Sequence, residues 1–247
     1  MPTPKTQLVS ILAALHGAAH DGVRWLFDHD GKRWLFNHDD GIHGAELWSS
    51  DLTPLGTRLV TDINDGAADG YPHSFCAFER FTYFAADDGV HGNELWLTDG
   101  LTASLAVDVF QGKAGSHPST LTACAGHLFF GASDAAHGFE MRVLSADRAS
   151  ALLLHDTTPG SAHSALSLVE CRSSTSGEAM LFYTVGTEAS GGAQWVSDGT
   201  PEGTRLATAA EPPVAAEPPV TAEPPVAEWE AQRRDELRRL TETARSE

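Results

Sequence analysis

The sequence has no apolar run approaching the roughly 18–20 residues that a membrane-spanning helix needs, so a spanning protein is not expected. It holds three cysteines, Cys76, Cys124 and Cys171, and no Cys-x-x-Cys pair, so a zinc-ribbon pattern is missing. The cysteines are spaced by 48 and 47 residues, which places them near the same strand of successive repeats. Such positions are expected to lie too far apart for a disulfide, which needs Cα atoms within about 7 Å. Three buried thiols acting as small apolar residues are expected instead. Basic residues are scarce: 16 Lys and Arg stand against 34 Asp and Glu, a net charge of −18. An acidic surface repels phosphate backbones, which argues against a nucleic-acid partner. There is no Gly-x-Ser-x-Gly, no phosphate loop and no arginine cluster for an anionic sugar. Neither an enzyme nor a cofactor is expected from these absences.

What the sequence does have is a phrase that returns. Glu46-Leu47-Trp48-Ser49-Ser50-Asp51 is followed by Glu94-Leu95-Trp96-Leu97-Thr98-Asp99, by a worn copy at Glu140-Met141-Arg142, and by Gln194-Trp195-Val196-Ser197-Asp198-Gly199-Thr200. From one Trp position to the next, the steps are 48, 46 and 53 residues. A period in this range marks a repeat architecture. Within the second repeat, Thr57–Ile63, Ser74–Phe78, Phe81–Ala85 and Asn93–Thr98 read as strands. Glu79-Arg80, Asp87-Asp88-Gly89 and Asp99-Gly100 read as turns. Four short strands per repeat suit a β-propeller blade, which buries both faces against its neighbours. The expectation is an all-β, four-bladed β-propeller of four-stranded antiparallel blades, centred near 22–63, 71–109, 117–154 and 164–208. A half-ring that pairs with a second copy is the alternative, so a homo-oligomer is compatible with the pattern. Trp48, Trp96 and Trp195 are expected to fill the spaces between blades.

The phrases around Glu46–Asp51, Asp87–Trp96 and Trp195–Thr204 resemble bacterial ELWxxDGT repeat proteins, over roughly residues 7–209. The resemblance implies a propeller-like, often secreted protein and no established chemistry. The third repeat departs from the pattern: Arg142 stands where Trp is expected and no Asp-Gly-Thr follows.

His-Gly-x-Glu recurs at His43–Glu46, His91–Glu94 and His137–Glu140, each preceded by Asp. A His and a carboxylate three residues apart could chelate a metal, so His43, Glu46, His91, Glu94, His137 and Glu140 are weak candidates for a Ca²⁺ or transition-metal site. One copy per blade argues against catalysis, which needs one asymmetric constellation. The favoured assignment is structural, with Asp capping its turn and Gly supplying the backbone angle.

Two segments stand outside the repeats. Gln7–Leu12 matches the Leu59-Val60 strand and reads as a surplus strand that helps close the ring. The competing reading is a weak secretory pattern over residues 5–19, and a cytoplasmic place is preferred to a secreted one. At the other end, 1–209 is read as the propeller and 210–227 as a linker repeating Ala-Glu-Pro-Pro-Val three times, extended by its paired prolines. Residues 228–247 are read as a C-terminal amphipathic helix. Trp229, Arg233, Leu237, Leu240 and Ala244 follow at spacings of 4, 4, 3 and 4 and form its one narrow stripe. The function expected is a non-catalytic scaffolding or protein-binding propeller whose tethered helix docks on a protein partner. The alternatives are a glycan-binding or glycoside-hydrolase-like propeller with acids at its mouth, and a Ca²⁺-binding secreted repeat protein.

Overall fold

The computed structural model describes residues 2–16, 23–157, 159–160, 165–174, 177–186 and 192–208. The chain divides into two compact units, Met1–Val214 and Ala215–Glu247. The second unit lies outside the described residues, and so do the expected helix and its residues Trp229, Arg233, Leu237 and Leu240.

The first unit is mostly β and forms four four-stranded antiparallel sheets in chain order. Sheet 1 holds β1 (Arg24–Asp28), β2 (Trp34–Asp39), β3 (Ala45–Ser50) and β4 (Arg58–Thr61). Sheet 2 holds β5 (His73–Phe78), β6 (Phe81–Asp87), β7 (Asn93–Thr98) and β8 (Ala103–Val107). Sheet 3 holds β9 (Ser119–Cys124), β10 (His127–Asp134), β11 (Gly138–Leu144) and β12 (Ala151–Leu153). Sheet 4 holds β13 (Leu166–Ser173), β14 (Ala179–Val185), β15 (Ala193–Ser197) and β16 (Arg205–Leu206). Within each sheet, every strand pairs with the next in sequence. The first strands run beside one another, β1 by β5, β5 by β9 and β9 by β13, and form a hub from which the sheets extend. This arrangement is of the propeller-like kind.

Successive residues of a strand face opposite sides, so each second strand feeds two interfaces. Phe84 of sheet 2 packs toward Leu35 and Leu47 of sheet 1. Its neighbour Tyr83 packs toward Leu128 and Phe130 of sheet 3. Phe129 and Met141 of sheet 3 then meet Leu181, Tyr183 and Trp195 of sheet 4. Burying one such side chain contributes about 1.5–3 kcal/mol. Trp96 and Trp195 therefore fill inter-sheet space as the repeat implies.

Trp48 does not, because a helix covers its face. Residues 4–16 form α1 (Pro4–His16) rather than the expected strand over 7–12. The local reason is a cap: the Thr6 N–H donates to Thr3 Oγ1 at 3.3 Å, and Pro4 occupies the first helical position, where a missing N–H costs nothing. Leu8 and Leu12, one turn apart, are buried against Phe36 and Trp48. Among the described residues no surplus strand remains, since β16 completes sheet 4. The repeat also departs from itself where α1 docks. Opposite Glu94 and Glu140, sheets 2 and 3 carry Ala86 and Ala132, whereas sheet 1 carries His38 opposite Glu46. The Nδ1 of His16, the last residue of α1, lies 3.1 Å from Nε2 of His38.

A second correction concerns the cysteines. Cys124 and Cys171 form a disulfide with Cα atoms 5.3 Å apart. The expectation of excessive distance failed because the first strands of adjacent sheets converge at the hub. Cys124 faces sheet 4 from β9, and Cys171 lies one register step away in β13 and faces back. Cys76 remains a free, half-buried thiol, and burial raises its pKa.

Candidate functional site

The loops between second and third strands carry the recurring Asp and His. In sheet 1, Asp40 accepts the backbone N–H groups of Ile42 and His43, each at 2.9 Å, and the His43 ring donates Nδ1–H to it at 2.8 Å. In sheet 2, Asp88 accepts from Val90, from His91 and from the His91 ring at 2.6 Å. In sheet 3, Asp134 does the same with Ala136, His137 and the His137 ring. The ring hydrogen bonds raise the pKa values of His43 and His91. Burial works against Asp40 and Asp88, yet the N–H donors of these loops hold both below the usual carboxylate range. Burial works against Asp134 too, yet the His137 ring and the loop N–H groups hold it well below that range, and the Arg142 guanidinium adds to them. The residue that replaces Trp in the worn repeat thus has a use: buried Arg142 also donates from Nε to the Ala132 carbonyl.

The glutamates of the phrase do not join the histidines around a shared centre. Glu46 is fully buried and accepts three backbone N–H groups: Ile63 at 2.9 Å, Asn64 at 3.1 Å and Gly70 at 2.8 Å. These donors lie at the two ends of the connection from β4 to β5. One carboxylate therefore clasps the loop that carries the chain into the next sheet. Glu94 repeats the clasp on Val109, Phe110 and Ser116, taking the Ser116 hydroxyl at 2.6 Å as well. Glu140 accepts the Thr157 hydroxyl at 2.6 Å. Gly70 is required here, since a Cβ would lie 2.7 Å from both Glu46 carboxylate oxygens. Burial raises Glu46 to about 7 although the three donors pull the other way. Glu94 is raised for the same reason.

The Asp-x-Thr turns between third and fourth strands are likewise self-contained. In sheet 4, Asp198 accepts the Thr200 N–H and hydroxyl, and the Thr204 hydroxyl reaches the Thr200 carbonyl at 2.7 Å. Sheet 1 repeats this with Asp51, Thr53 and Thr57. Among the described residues, no group of three or more His, Cys, Asp and Glu side chains is placed to hold a metal ion. The Oδ1 atoms of Asp62, Asp108 and Asp156 occupy the same place in three sheets and are buried without a hydrogen-bond partner among the described residues.

A different set of residues comes together at the hub, one that no motif in the sequence marks. Each first strand carries a β-bulge at the same register: between Arg24 and Phe27, His73 and Cys76, Ser119 and Thr122, and Ser167 and Glu170. In the first three, the leading bulge residue has left-handed backbone: Trp25 at φ 53°, Ser74 at 57° and Thr120 at 52°. The second bulge residue packs into the core, as Leu26, Phe75 and Leu121 do. A bulge bends the strand and re-aims a side chain, and non-glycine residues at such angles cost on the order of 1–3 kcal/mol each. Trp25 joins none of the apolar clusters and lies half-buried, its ring 5.7 Å from that of His73. His73 is buried, which lowers its pKa to about 4 and keeps it neutral. Its ring contacts Ser74 Oγ at 2.9 Å and the Asn93 amide at 3.3 Å. No motif spacing signals this cluster, because Trp25 falls outside the recurring phrase.

No helix of the described residues is long and apolar enough to cross a membrane. No protein-family model matches the chain, and no curated protein matches it. Among solved structures it is similar to an endo-arabinase from Bacteroides thetaiotaomicron, at 15% identity over 72% of this chain and 76% of that chain, with a TM-score of 0.34.

Proposed function

We propose that the chain is a non-catalytic binding or scaffolding protein: a four-bladed β-propeller of the ELWxxDGT repeat type, carrying a docking helix on a proline-rich tether. The observation that carries the non-catalytic part is the use of the recurring acids. Glu46 and Glu94 are buried and committed to backbone N–H groups, and the loop aspartates cap their own turns. None of these groups is left facing a substrate as an acid–base pair would be. The docking part rests on the sequence: a stiff spacer followed by Trp229, Leu237 and Leu240 on one stripe suits a helix that lies in a partner's groove. Arg233, on the same stripe, sets orientation. The Cys124–Cys171 disulfide supports work in an oxidising compartment, against the cytoplasmic preference drawn from the sequence.

The test is a pull-down with the full chain and with the triple variant Trp229→Ala, Leu237→Ala, Leu240→Ala. The proposal expects the variant to keep its melting temperature and lose its partners. Identical partners for both proteins would overturn the docking role.

A further inference from the structure

The first helix goes beyond the docking role and does not depend on the tail. In sheets 2 and 3, Phe84 and Phe130 lie on the face that the preceding sheet covers. Phe36 is their equivalent, since the three stand at one register, opposite Trp96, Arg142 and Trp48 in turn. Among the described residues no sheet precedes sheet 1, and α1 takes that seat. It is held there by few contacts. Leu8 and Leu12 are its buried residues, and His16 follows them at the same four-residue spacing. A helix of 13 residues is marginal by itself, so α1 depends on what this one stripe touches.

The third contact of the stripe differs in kind from the other two. His16 Nδ1 and His38 Nε2 lie 3.1 Å apart and share a hydrogen bond. The two rings stack with centroids 5.2 Å apart, and each meets the Trp48 ring edge-on. One nitrogen must donate and the other accept, so at least one ring has to be neutral. With both rings protonated, both nitrogens carry hydrogen and two like charges face each other. His38 is fully buried, so water cannot solvate its charge while α1 stays docked. Among the described residues, the rest of this face supplies no compensating charge. β1 and β4 contribute Leu26 and Leu59. Lys5, the one charged residue along α1, stands near its other end and is itself positive. Glu46 of β3 lies opposite His38 in register. Burial, with Asp62 adding to it, raises the Glu46 carboxyl to about 7, so in acid it is protonated and brings no negative charge to the pair. The fold itself does not need an imidazole here. Sheets 2, 3 and 4 carry Ala86, Ala132 and Thr184 at this register, and the histidine stands in the sheet that α1 covers. We propose that α1 is an acid-released cap: charging both His16 and His38 breaks the bond between them and frees the helix from the Phe36 and Trp48 face of sheet 1.

The experiment is amide hydrogen exchange of residues 4–16 in the full chain, at pH 7 and at about pH 4, below the ordinary imidazole value of about 6.5. A free peptide of the same residues supplies the intrinsic rate at each pH. Protection of α1 is expected to fall at least roughly tenfold at the lower pH, while β6 and β10 keep theirs. Two variants are expected to flatten that fall. His38→Ala installs the residue that sheets 2 and 3 carry, and His16→Leu extends the stripe of Leu8 and Leu12. Equal protection of α1 at both pH values, the same fall in either variant, or a loss shared by β6 and β10 would overturn the inference. None of these results bears on the tail, whose docking is read by the pull-down.

Discussion

Glu46 was legible in the sequence as a repeated acid, but its work was not. Spacing shows that a residue recurs; it does not show which backbone N–H groups return to it from 17 and 24 residues downstream. The Asp caps of these turns were legible, because an Asp-capped turn is a local device whose N–H partners lie within three residues; the His–Asp ring hydrogen bonds and the Arg142 pair to Asp134, eight residues on, were not. The buried clasp has a consequence for pH. The Glu46 carboxyl has a folded pKa of about 7 against an ordinary 4.5. Between those values the folded state holds a proton that the unfolded state has released, so stability falls as pH rises through the window. The loss from this group is on the order of 3 kcal/mol. Glu94 is shifted in the same direction, and the raised histidines His43 and His91 also lose their contribution as pH rises. Asp40, Asp88 and Asp134 are lowered, so their contribution is lost only as pH falls below the ordinary carboxylate value. Buried His73 works the other way, because its pKa is lowered from 6.5 to about 4 and stability rises as pH climbs between those values. The melting temperature is therefore expected to change little up to about pH 6.5 and to decline from there toward pH 8. A steady rise from pH 5 to 8 would contradict the clasp's protonation.

At the scale of elements, the strands of the described residues lie where four repeats of four require them, and sheet 3 forms even though its phrase is worn. The failures have named causes. Leu8-Val9 looked like a blade strand, but the Thr3-Pro4 start and the Leu8/Leu12 spacing belong to a helix, and three-dimensional packing against Phe36 and Trp48 decides the matter. Spacing of 47 residues does not mean whole-blade separation for the disulfide partners. At the hub, neighbouring strands approach closely enough to bond. Closing a loop of this length stabilises by about 4 kcal/mol in the chain-entropy account. Replacing Cys124 and Cys171 together by Ser is expected to lower stability by up to about that amount in urea unfolding, while Cys76→Ser changes it little. If Cys76→Ser proves the more damaging change, the pairing described here is wrong.

For the molecule as a whole, the central claim is that the recurring Asp, His and Glu build the fold and hold no ligand of their own. The charge of −18 makes the rival concrete, because acidic loops attract cations. The partnerless oxygens of Asp62, Asp108 and Asp156 are where a cation would act if the claim were false. A ligand bound to the folded state raises its stability, and removing it must lower the melting temperature. The most direct measurement is thermal unfolding of the full chain before and after exhaustive treatment with a chelator, followed by addition of Ca²⁺ or Zn²⁺. The account predicts one unchanged melting temperature throughout. A large drop on chelation that either ion restores would contradict it.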